Sequence, residues 1–447
     1  MQVVPKDISF ATAQMDGFNR NRFRLETNGA TTAGPGSIIS LTLPSNSIID
    51  LKSFKVHLDV ATTSDASSTN AIYAKLPADT ASLIQQCEVY CGGVQICQGF
   101  QEYNSCSKIK KIVNASRDRE GSVDGTLSHG LISTGDAVDS VSVVFKPNIG
   151  LFAESSTRML PTSLTGDLSV RLTLASTAVL AYKEVTVDMA ASFSDAAARA
   201  SALLTTYSVS SIHATIDTVT LGDAYEKLLL DRLMQEDSLN VNFKEYYTFS
   251  LHGTSNTSHD VRFALSASSI DNLYTVCRDA NYQTAGIVTR AYSGNVNSDG
   301  LCANYFQFKG FNNSSTARGS LRYHYTANNV RHPQYDADVL DAAHDLIMIT
   351  DQHGDTGRGN LVSSLTDFQT GKCILPCVLN LPSQPVSVQC GLNSRGNNTQ
   401  FSVSITGQTV PTAVDATQVT AAISTLVVVE TTCQLRIGGS KQVAVSY

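Results

Sequence analysis

The group of side chains best suited to bind a metal ion is an acidic cluster. It consists of Asp336, Asp338, Asp341 and Asp345, with His344 among them. Carboxylates at such close spacing can collect calcium or magnesium. The cluster lacks the ligand spacing of an EF-hand loop, however, and it lies at the start of a predicted helix, DADVLDAAHDLIMI. Negative side chains stabilise a helix N-terminus. We therefore favour a role in helix capping and predict no metal site.

A glycine-rich segment, GDTGRGN at residues 354–360, could hold an anion through its backbone amides. It follows no predicted strand and lacks the lysine of a phosphate-binding P-loop, so it is more typical of a surface loop. The motifs GxSxG, HExxH and GxxxxGK[ST] do not occur in the sequence. The sequence therefore predicts neither a catalytic site nor a bound cofactor.

The ten cysteines could bind a metal ion, form disulfides or act as nucleophiles, and no pair has CxxC spacing. Cys373 and Cys377 are four residues apart with His353 upstream, which does not match the common zinc motifs. Cys87 and Cys91 share one face of a predicted strand. The N-terminal sequence lacks the basic start and apolar core of a signal peptide, so we expect free thiols, in the core or at interfaces.

Net charge and hydropathy indicate whether the protein would bind nucleic acid or span a membrane. The 447 residues carry a net charge of −7, and only 16% of them are charged. The basic residues form two modest clusters: Arg20, Arg22 and Arg24, and Lys108, Lys110 and Lys111. Specific nucleic-acid binding usually needs a larger basic face, so we do not expect it. The arginine triplet predicts a solvated arm, with contact to an acidic neighbour as the alternative, and the chain has no apolar run long enough for a transmembrane segment.

The elements that would position these groups are mostly strands separated by polar turns. Apolar and polar residues alternate most cleanly from Leu168 to Leu174 and again from Phe54 to Val60, as in half-buried strands. Further strands are predicted at IISLTLP, VSVVFKP, YSVSSIHATIDTVTL, VNFKEYYTFSLHG, VRFALSAS, YFQFKG, ILPCVLNLP, VSVQCGL, QFSVSITG and the closing hairpin TLVVVETTCQLRIGGSKQVAVS. Besides the helix that starts at the acidic cluster, short helices are predicted at QEYNSCSKIKKIV, GDAYEKLLLDRLMQEDS and SIDNLYTVCRD.

A tight hairpin is predicted at Gly92-Gly93, because a Gly-Gly pair accepts the positive φ angles of a type I′ turn. Two strand-like runs, SLIQQCEVYC and VQICQGF, flank it. Simple register places Cys91 opposite Val94 and Cys97 opposite Glu88. No cysteine would then face another across the hairpin.

This hairpin region resembles a motif of viral double jelly-roll major capsid proteins, especially those of polinton-like viruses and virophages, within the wider lineage that includes nucleocytoplasmic large DNA viruses and adenoviruses. In that motif, Leu-Pro and then Ser-Leu-Ile-Gln precede a hairpin with a central glycine and a Tyr-Asn helix. The matching residues are Leu76, Pro77, Ser82, Leu83, Ile84, Gln85, Gly92, Gly93, Val94, Tyr103 and Asn104. Residues 37–60 also resemble the first strand pair of the family.

The resemblance implies an all-β fold, mainly β with a few short helices, built as two tandem eight-stranded jelly rolls. The length agrees, because one core rarely grows beyond about 250–300 residues. We expect an N-terminal arm at residues 1–24, a first jelly roll at 25–221, a linker helix at 222–238 and a second jelly roll at 239–447. No residue-level repeat relates the two halves, so the duplication is inferred from the order of elements.

The resemblance also implies a function without turnover. Three chains would form a homotrimer, a pseudo-hexagonal capsomer, and neighbouring capsomers would tile an icosahedral shell around a DNA genome, together with penton and minor capsid proteins. The protein would be made inside the host cell and end in the virion. The arm would contact neighbouring capsomers, and the loops at 114–140 and 187–204 would face outward or line the seams between subunits.

Two alternatives remain at this stage. A carbohydrate-binding or carbohydrate-cleaving β-sandwich would need an exposed aromatic platform, and the chain has no tryptophan. Tyr246, Tyr247 and Phe249 fall together in one predicted strand, where we expect two of the three in the core. The other alternative is a minor capsid or fibre component of the same lineage.

Overall fold

The computed structural model describes residues 19–63, 72–75, 80–97, 101–113, 141–184, 206–220, 227, 231, 233–235, 238–254, 256–280, 282, 305–312, 319–351, 368–369, 371–380, 386–396, 399–409, 422–438 and 442–447. The strands of the first half are β1 (Asn19–Glu26), β2 (Ile38–Thr42), β3 (Ile48–Asp50), β4 (Lys55–Thr63), β5 (Ile72–Lys75), β6 (Ile84–Cys91), β7 (Val94–Cys97), β8 (Val141–Phe145), β9 (Met159–Pro161), β10 (Leu168–Leu174), β11 (Ala181–Glu184) and β12 (Thr206–Thr220). Helix α1 (Tyr103–Val113) follows β7, and the short helix α2 (Thr162–Thr165) follows β9.

The second half again consists mainly of strands. Its strands are β13 (Ser238–Thr254), β14 (His259–Ala264), β15 (Ile270–Asp279), β16 (Arg322–Ala327), β17 (Val330–Ala337), β18 (Leu375–Val378), β19 (Gln400–Thr406), β20 (Ile423–Gly438) and β21 (Val443–Ser446). Helix α3 (Val339–Asp351) lies between β17 and β18, as α1 lies between β7 and β8.

Each half is a sandwich of two antiparallel sheets. In the first half, one sheet has the order β1–β12–β4–β8, with β3 and β9 added beside β12, and the other has the order β2–β10–β6–β7. In the second half the sheets are β13–β20–β15–β18, with β21 added to β20, and β14–β19–β16–β17. The strands β5 and β11 form a separate pair.

The strand order is the same in both halves. Counting only β1, β2, β4, β6, β7, β8, β10 and β12 in the first half, the sheets read 1-8-3-6 and 2-7-4-5, and β13 to β20 give the same two orders. This arrangement is the eight-stranded jelly roll. The fold class predicted from the sequence, two tandem jelly rolls, is confirmed.

Hydrophobic burial explains why these segments form sandwiches. In β10 the side chains of Leu168, Val170, Leu172 and Leu174 are buried while the intervening residues are not. Burying one such side chain fully stabilises a fold by about 1.5–3 kcal/mol. In β4, Val56, Leu58 and Val60 repeat the pattern on the opposing sheet. The inner faces of each roll thus meet along alternating apolar positions.

The Gly-Gly hairpin is confirmed, with one correction to its register. Gly92 and Gly93 have φ angles of 55° and 83°, which a residue with a Cβ rarely adopts. Cys91 lies opposite Val94 as predicted, but Cys97 lies opposite Val89 and not Glu88. An irregularity between Val89 and Tyr90 shifts the pairing by one residue, as a β-bulge does.

The helix predicted at SIDNLYTVCRD was wrong, because these residues form strand β15. All ten residues of β15 are buried, since the strand lies between β20 and β18 and is covered on both faces. A strand that is buried on both faces shows no alternation of apolar and polar residues along its sequence. Its polar side chains find partners elsewhere in the fold, which the local sequence does not reveal.

Two predicted strands, YFQFKG and VSVQCGL, were also wrong. Each makes one isolated bridge instead of a ladder: Phe308 pairs with Lys372, and Leu392 pairs with Ile270. Several strands went unpredicted, among them β1, β16 and the edge strand β17, which contains Pro333. The helix at the acidic cluster and the helix at QEYNSCSKIKKIV are confirmed as α3 and α1.

Residues 19–24 of the predicted N-terminal arm lie within the described part of the chain. These residues belong to β1, which pairs with β12 along its whole length, although its side chains are almost all exposed. The arginines are not simply solvated: Arg20 bonds Asp217, and Arg22 Nε lies 2.7 Å from Asp217 Oδ1. Because the Asp217 side chain is only 2% exposed, this ion pairing fixes the strand to the sheet.

In the predicted linker, residues 227, 231 and 233–235 are helical.

Candidate functional site: the seam between the two jelly rolls

Backbone hydrogen bonds join the two rolls directly. Ser155 of the first half forms a bridge with Phe243 of β13. Ser156 N donates to Asn242 O at 2.7 Å, and Lys244 N donates to Glu154 O at 3.1 Å. A short segment of the first roll therefore extends the sheet of the second along the edge of β13, which would otherwise expose unpaired backbone groups.

A buried ionic cluster lies beside this backbone join. Lys110 projects from α1, and its Nζ lies 3.2 Å from Glu430 Oε2 and 3.6 Å from Glu154 Oε1. The side chains of Lys110 and Glu430 are only 3% and 1% exposed. Glu430 belongs to β20, so this contact joins the helix of one roll to the central sheet of the other.

A second lysine completes the cluster on the side of the second roll. Lys244 bonds Asp271 and lies 3.4 Å from Glu430. The hydroxyl of Tyr274 donates to Glu430 Oε2 at 3.0 Å, and that of Tyr246 donates to Glu154 Oε2 at 2.6 Å. Two lysines and two tyrosines thus neutralise or hydrogen-bond three carboxylates, which is the condition under which buried charges are tolerated.

The electrostatics of the cluster follow from its burial and its pairing. Burial by itself lowers the pKa of Lys110, but the carboxylates of Glu430 and Glu154 outweigh it, and the net pKa is raised. The pKa of Tyr246 is raised well above its ordinary value, by burial first and then by Glu154. At neutral pH the lysine is therefore charged and the tyrosine is neutral, as the hydrogen bonds require.

Arg278 makes a second crossing of the seam. It lies on β15 with 1% of its side chain exposed, and its Nη2 donates to Glu102 Oε2 of the first roll at 2.9 Å. Its Nη1 donates to Ser105 Oγ at 3.1 Å. The guanidinium lies 3.8 Å from the ring centroid of Tyr282 and 5.4 Å from that of Tyr305, within the range of cation–π attraction.

The residues of the sequence motif support this crossing. Asn104 Nδ2 donates to Gln85 Oε1 at 3.3 Å, which holds α1 against the start of β6. Tyr305 of the second roll donates its hydroxyl hydrogen to the same Gln85 oxygen at 3.2 Å. The Tyr103 hydroxyl accepts from Asn148 N at 3.3 Å. The motif thus positions α1, from which Lys110 and Ser105 reach the second roll.

These contacts hold the two jelly rolls of the chain together. Clusters of perturbed ionisable groups often mark active sites, but here the charged atoms are turned toward each other across a packed interface. Their fixed hydrogen-bond geometry sets one relative orientation of the two rolls. Sequence reasoning counted Lys110 as part of a basic cluster; the missed signal was its spacing from Tyr103 and Cys106, which puts a charge on the buried face of α1.

Of the acidic cluster, Asp338 and Asp341 cap a helix, as the capping hypothesis predicts. Asp338 Oδ1 accepts from the backbone N–H groups of Leu340 and Asp341 at 2.9 and 3.0 Å, and Asp341 Oδ2 accepts from Asp338 N at 3.1 Å. These reciprocal bonds form a capping box at the start of α3. Asp336 instead contacts His324 at 2.9 Å on the surface. Within the described ranges, no group of three or more His, Cys, Asp and Glu side chains could hold a metal ion.

The cysteines that the structure describes are free thiols, and all of them except Cys390 are buried. Burial raises the pKa of Cys87 and of Cys377 to about 12, and that of Cys91 to about 11. Thiols with such values are protonated at neutral pH and are poor nucleophiles or metal ligands. The prediction of core thiols holds for Cys87, Cys91, Cys373 and Cys377.

Some sequence predictions lie outside the described residues. They are the glycine-rich segment 354–360, His353, Cys302, the motif residues Leu76 and Pro77, and the loops 114–140 and 187–204. Of the helices in the described part, none combines the length and the apolar character needed to cross a membrane.

An open groove of about 710 Å³ lies on the second roll where β14, β16 and β19 run side by side. Polar side chains including Arg262, Thr326 and Gln400 line it. Phe263 and Phe401 also reach it, but their rings stack on each other at 5.4 Å and are 8% and 2% exposed. Of the three aromatic residues predicted in one strand, Tyr246 is fully buried, whereas Tyr247 and Phe249 are partly buried and pack against the core, so full burial holds for one of them and not for two.

The sequence matches no protein-family model and no curated protein, whereas the fold is similar to solved viral capsid structures. The PBCV-1 virus capsid matches with a TM-score of 0.61 and 15% identity over 99% of this chain and 100% of that one. The Sputnik virophage structure matches with a TM-score of 0.54 and 11% identity over 100% and 92%. The Faustovirus major capsid protein matches with a TM-score of 0.52 and 10% identity over 96% and 92%.

Strand order and these likenesses together define the class of fold. The chain has the double jelly-roll fold of viral major capsid proteins. The similarity extends over both rolls, because each match covers almost the whole chain.

Proposed function

We propose that this protein is the major capsid protein of a virus, with a structural and non-enzymatic role. Three chains form a homotrimeric, pseudo-hexagonal capsomer, and capsomers tile an icosahedral shell around a DNA genome with penton and minor capsid proteins at special positions. The chain would accordingly reside in the virion after synthesis in the host cell.

The observation that carries the proposal is the repeated jelly roll whose two copies are joined by buried ion pairs and backbone hydrogen bonds. Three chains supply six sandwiches of the same strand order, which matches the six directions of a hexagonal lattice site. A lattice site of this kind needs a fixed angle between the two rolls of each chain. The buried contacts of Lys110 and Arg278 supply that constraint within one chain.

The termini and loops would serve contacts between chains. We propose the division into an arm at 1–24, rolls at 25–221 and 239–447 and a linker helix at 222–238, with residues 19–24 of the arm bound to the first roll as strand β1. The preceding residues would reach neighbouring capsomers. The loops 114–140 and 187–204 would face outward or line the seams between subunits, where sequence can vary without disturbing the cores.

Negative-stain electron microscopy of the purified chain tests the proposal. Particles with three-fold symmetry, a hexagonal outline and the mass of three chains are expected. Compact monomers or two-fold dimers would contradict the capsomer. Trimers that never form shells when the protein is produced at high concentration would instead favour a minor capsid or fibre component, which stays the second candidate within this fold.

A further inference from the structure

Two histidines stack on the outer face of the first roll. His57 of β4 and His213 of β12 are register partners, and their ring centroids are 4.7 Å apart with an angle of 2° between the planes. His57 Nε2 contacts Thr215 Oγ1 at 3.2 Å, and His213 Nδ1 donates to the carbonyl oxygen of Ser211 at 3.0 Å. Both rings are partly exposed, so protons from solvent can reach them.

The stacked pair is adjacent to strand β1. Glu26, the last residue of β1, is the register partner of His213, and Arg24 is the partner of Thr215. Beyond Glu26 the chain leaves β12, so the histidines lie where this edge strand ends. The other end of β1 is held by the ion pairs of Arg20 and Arg22 with Asp217.

Positive charges dominate the surroundings of the pair. Arg24 on β1 and Lys55 on β4 act on His57, and Lys146 follows β8 on the same face by alternation. The negative groups are Glu26, which Arg24 already pairs at 2.8 Å, and Asp59, which accepts from Ser142 at 2.5 Å. Two imidazolium ions would therefore repel each other and also the cation that β1 carries.

Proton linkage gives the direction of the effect. Burial lowers the pKa of His57, and the charges of His213, Lys55 and Arg24 lower it further. A histidine whose pKa is lowered in the folded state contributes stability above its unfolded value of about 6.5, and this stability is lost as the pH falls below that value. Detaching β1 opens the site to water, which relieves the burial that lowers the pKa of His57 most, and it removes Arg24 together with its partner Glu26, so protonation of His57 favours detachment.

We propose that the stacked pair His57 and His213 is a pH-sensitive latch that holds the end of β1 on the first roll at neutral pH and weakens that hold in acid. The latch acts within one chain and does not depend on the capsid function proposed above. Its direct consequence is that acidification frees the segment around residues 24–27 while the Asp217 ion pairs still hold Arg20 and Arg22.

Hydrogen–deuterium exchange of the full chain at pH 7.5 and 5.5 tests the latch, with rates corrected by an unfolded reference. Because protonation of the pair favours detachment, we expect exchange of the 23–27 backbone amides to be faster at pH 5.5 than at pH 7.5. The amides of β10 serve as the internal reference. Equal protection of residues 23–27 at both pH values would overturn the proposal.

Variants separate the histidine pair from general acid effects. The double variant His57→Gln/His213→Gln should lose the pH response, whereas His324→Gln, which removes a surface histidine of the second roll, should keep it. An undiminished response in the double variant would refute the latch. If that variant already exchanges fast at pH 7.5, the variant Arg24→Gln is measured instead. It removes the cation that the protonated histidines repel, so the rise in exchange at pH 5.5 should be smaller. An unchanged rise would refute the latch.

Discussion

Lys110 shows how one side chain couples the two rolls. It carries a buried charge from the first roll into a site whose counter-charge, Glu430, belongs to the second. Such a pair adds little net stability compared with apolar side chains, but breaking it is expensive because the remaining charge stays buried. At the scale of residues, each charged side chain of the seam is therefore stable in its buried position only while its oppositely charged partner is present.

Replacing Lys110 by methionine should destabilise the protein strongly. The substitution leaves Glu430 and Glu154 close to each other without the shared cation, and the expected loss in the free energy of unfolding is about 3–5 kcal/mol. Urea unfolding followed by tyrosine fluorescence would measure it. The matched control, Lys146→Met at an exposed position, should change stability by no more than about 0.5 kcal/mol; equal losses in both variants would contradict the role of Lys110.

At the scale of elements, strand β1 is held on β12 by the ion pairs of Arg20 and Arg22 with the buried carboxylate of Asp217. Asp217 is nearly inaccessible, while the side chains of Arg20 and Arg22 are 50% and 67% exposed. The hydrogen bond from Arg22 is the main reason that the pKa of Asp217 is lowered, and Arg20 lowers it further. A carboxylate with a lowered folded pKa contributes stability above its unfolded value and loses it as the pH falls through the folded value.

Asp217→Asn should therefore weaken the protein at neutral pH but not in strong acid. We expect a loss of about 1–2 kcal/mol at pH 7, since charged hydrogen bonds are strong but these arginines are half exposed. The difference from the wild type should shrink as the pH falls through the lowered folded pKa of Asp217, where its carboxylate becomes protonated. Urea midpoints at a series of falling pH values measure this, with the exposed Asp167→Asn as control; a difference that does not decrease as the pH falls would contradict the ion pair as its cause.

The two glycines of the first hairpin allow a comparison of strain with crowding. A Cβ at Gly93 would meet nothing within 4 Å, whereas a Cβ at Gly92 would lie 3.1 Å from the carbonyl oxygen of Thr165. Both positions have positive φ, which costs about 1 kcal/mol or more for alanine. Gly92→Ala should accordingly lower the melting temperature more than Gly93→Ala, and differential scanning calorimetry would show it. Equal shifts would mean that the contact with Thr165 relaxes freely.

Sequence reasoning succeeded where the structure is determined locally. The alternation of β10, the Gly-Gly turn and the capping box of α3 depend on neighbours along the chain, so their patterns are visible in a single sequence. Strand β15 was mistaken for a helix because Asp271 and Arg278 are satisfied by Lys244 and Glu102, far away in sequence. The seam was missed for the same reason, since its crossing bonds, such as Lys110 to Glu430 and Arg278 to Glu102, join residues from different rolls.

At the scale of the whole molecule, the ion pairs that hold β1 begin at Arg20, and residues 1–18 lie outside the described ranges. Deleting residues 1–18 should leave β1, the rolls and the proposed trimer intact, because the deletion ends before Arg20. We expect electron microscopy to show normal capsomers but few closed shells. Normal yields of shells from the truncated chain would count against a role of the arm in contacts between capsomers.

The position of α1 has a consequence for the order of events during synthesis. Lys110 belongs to the first roll with one counter-charge, Glu154, but its closer partner Glu430 lies near the end of the chain, so the first roll leaves the ribosome long before Glu430 is made. Until then the lysine stays hydrated, and its desolvation cost arises only when the second roll docks. A chain that stops before residue 430 would thus present a folded first roll with a charged, unfinished face, which distinguishes incomplete chains from complete ones before they meet a partner.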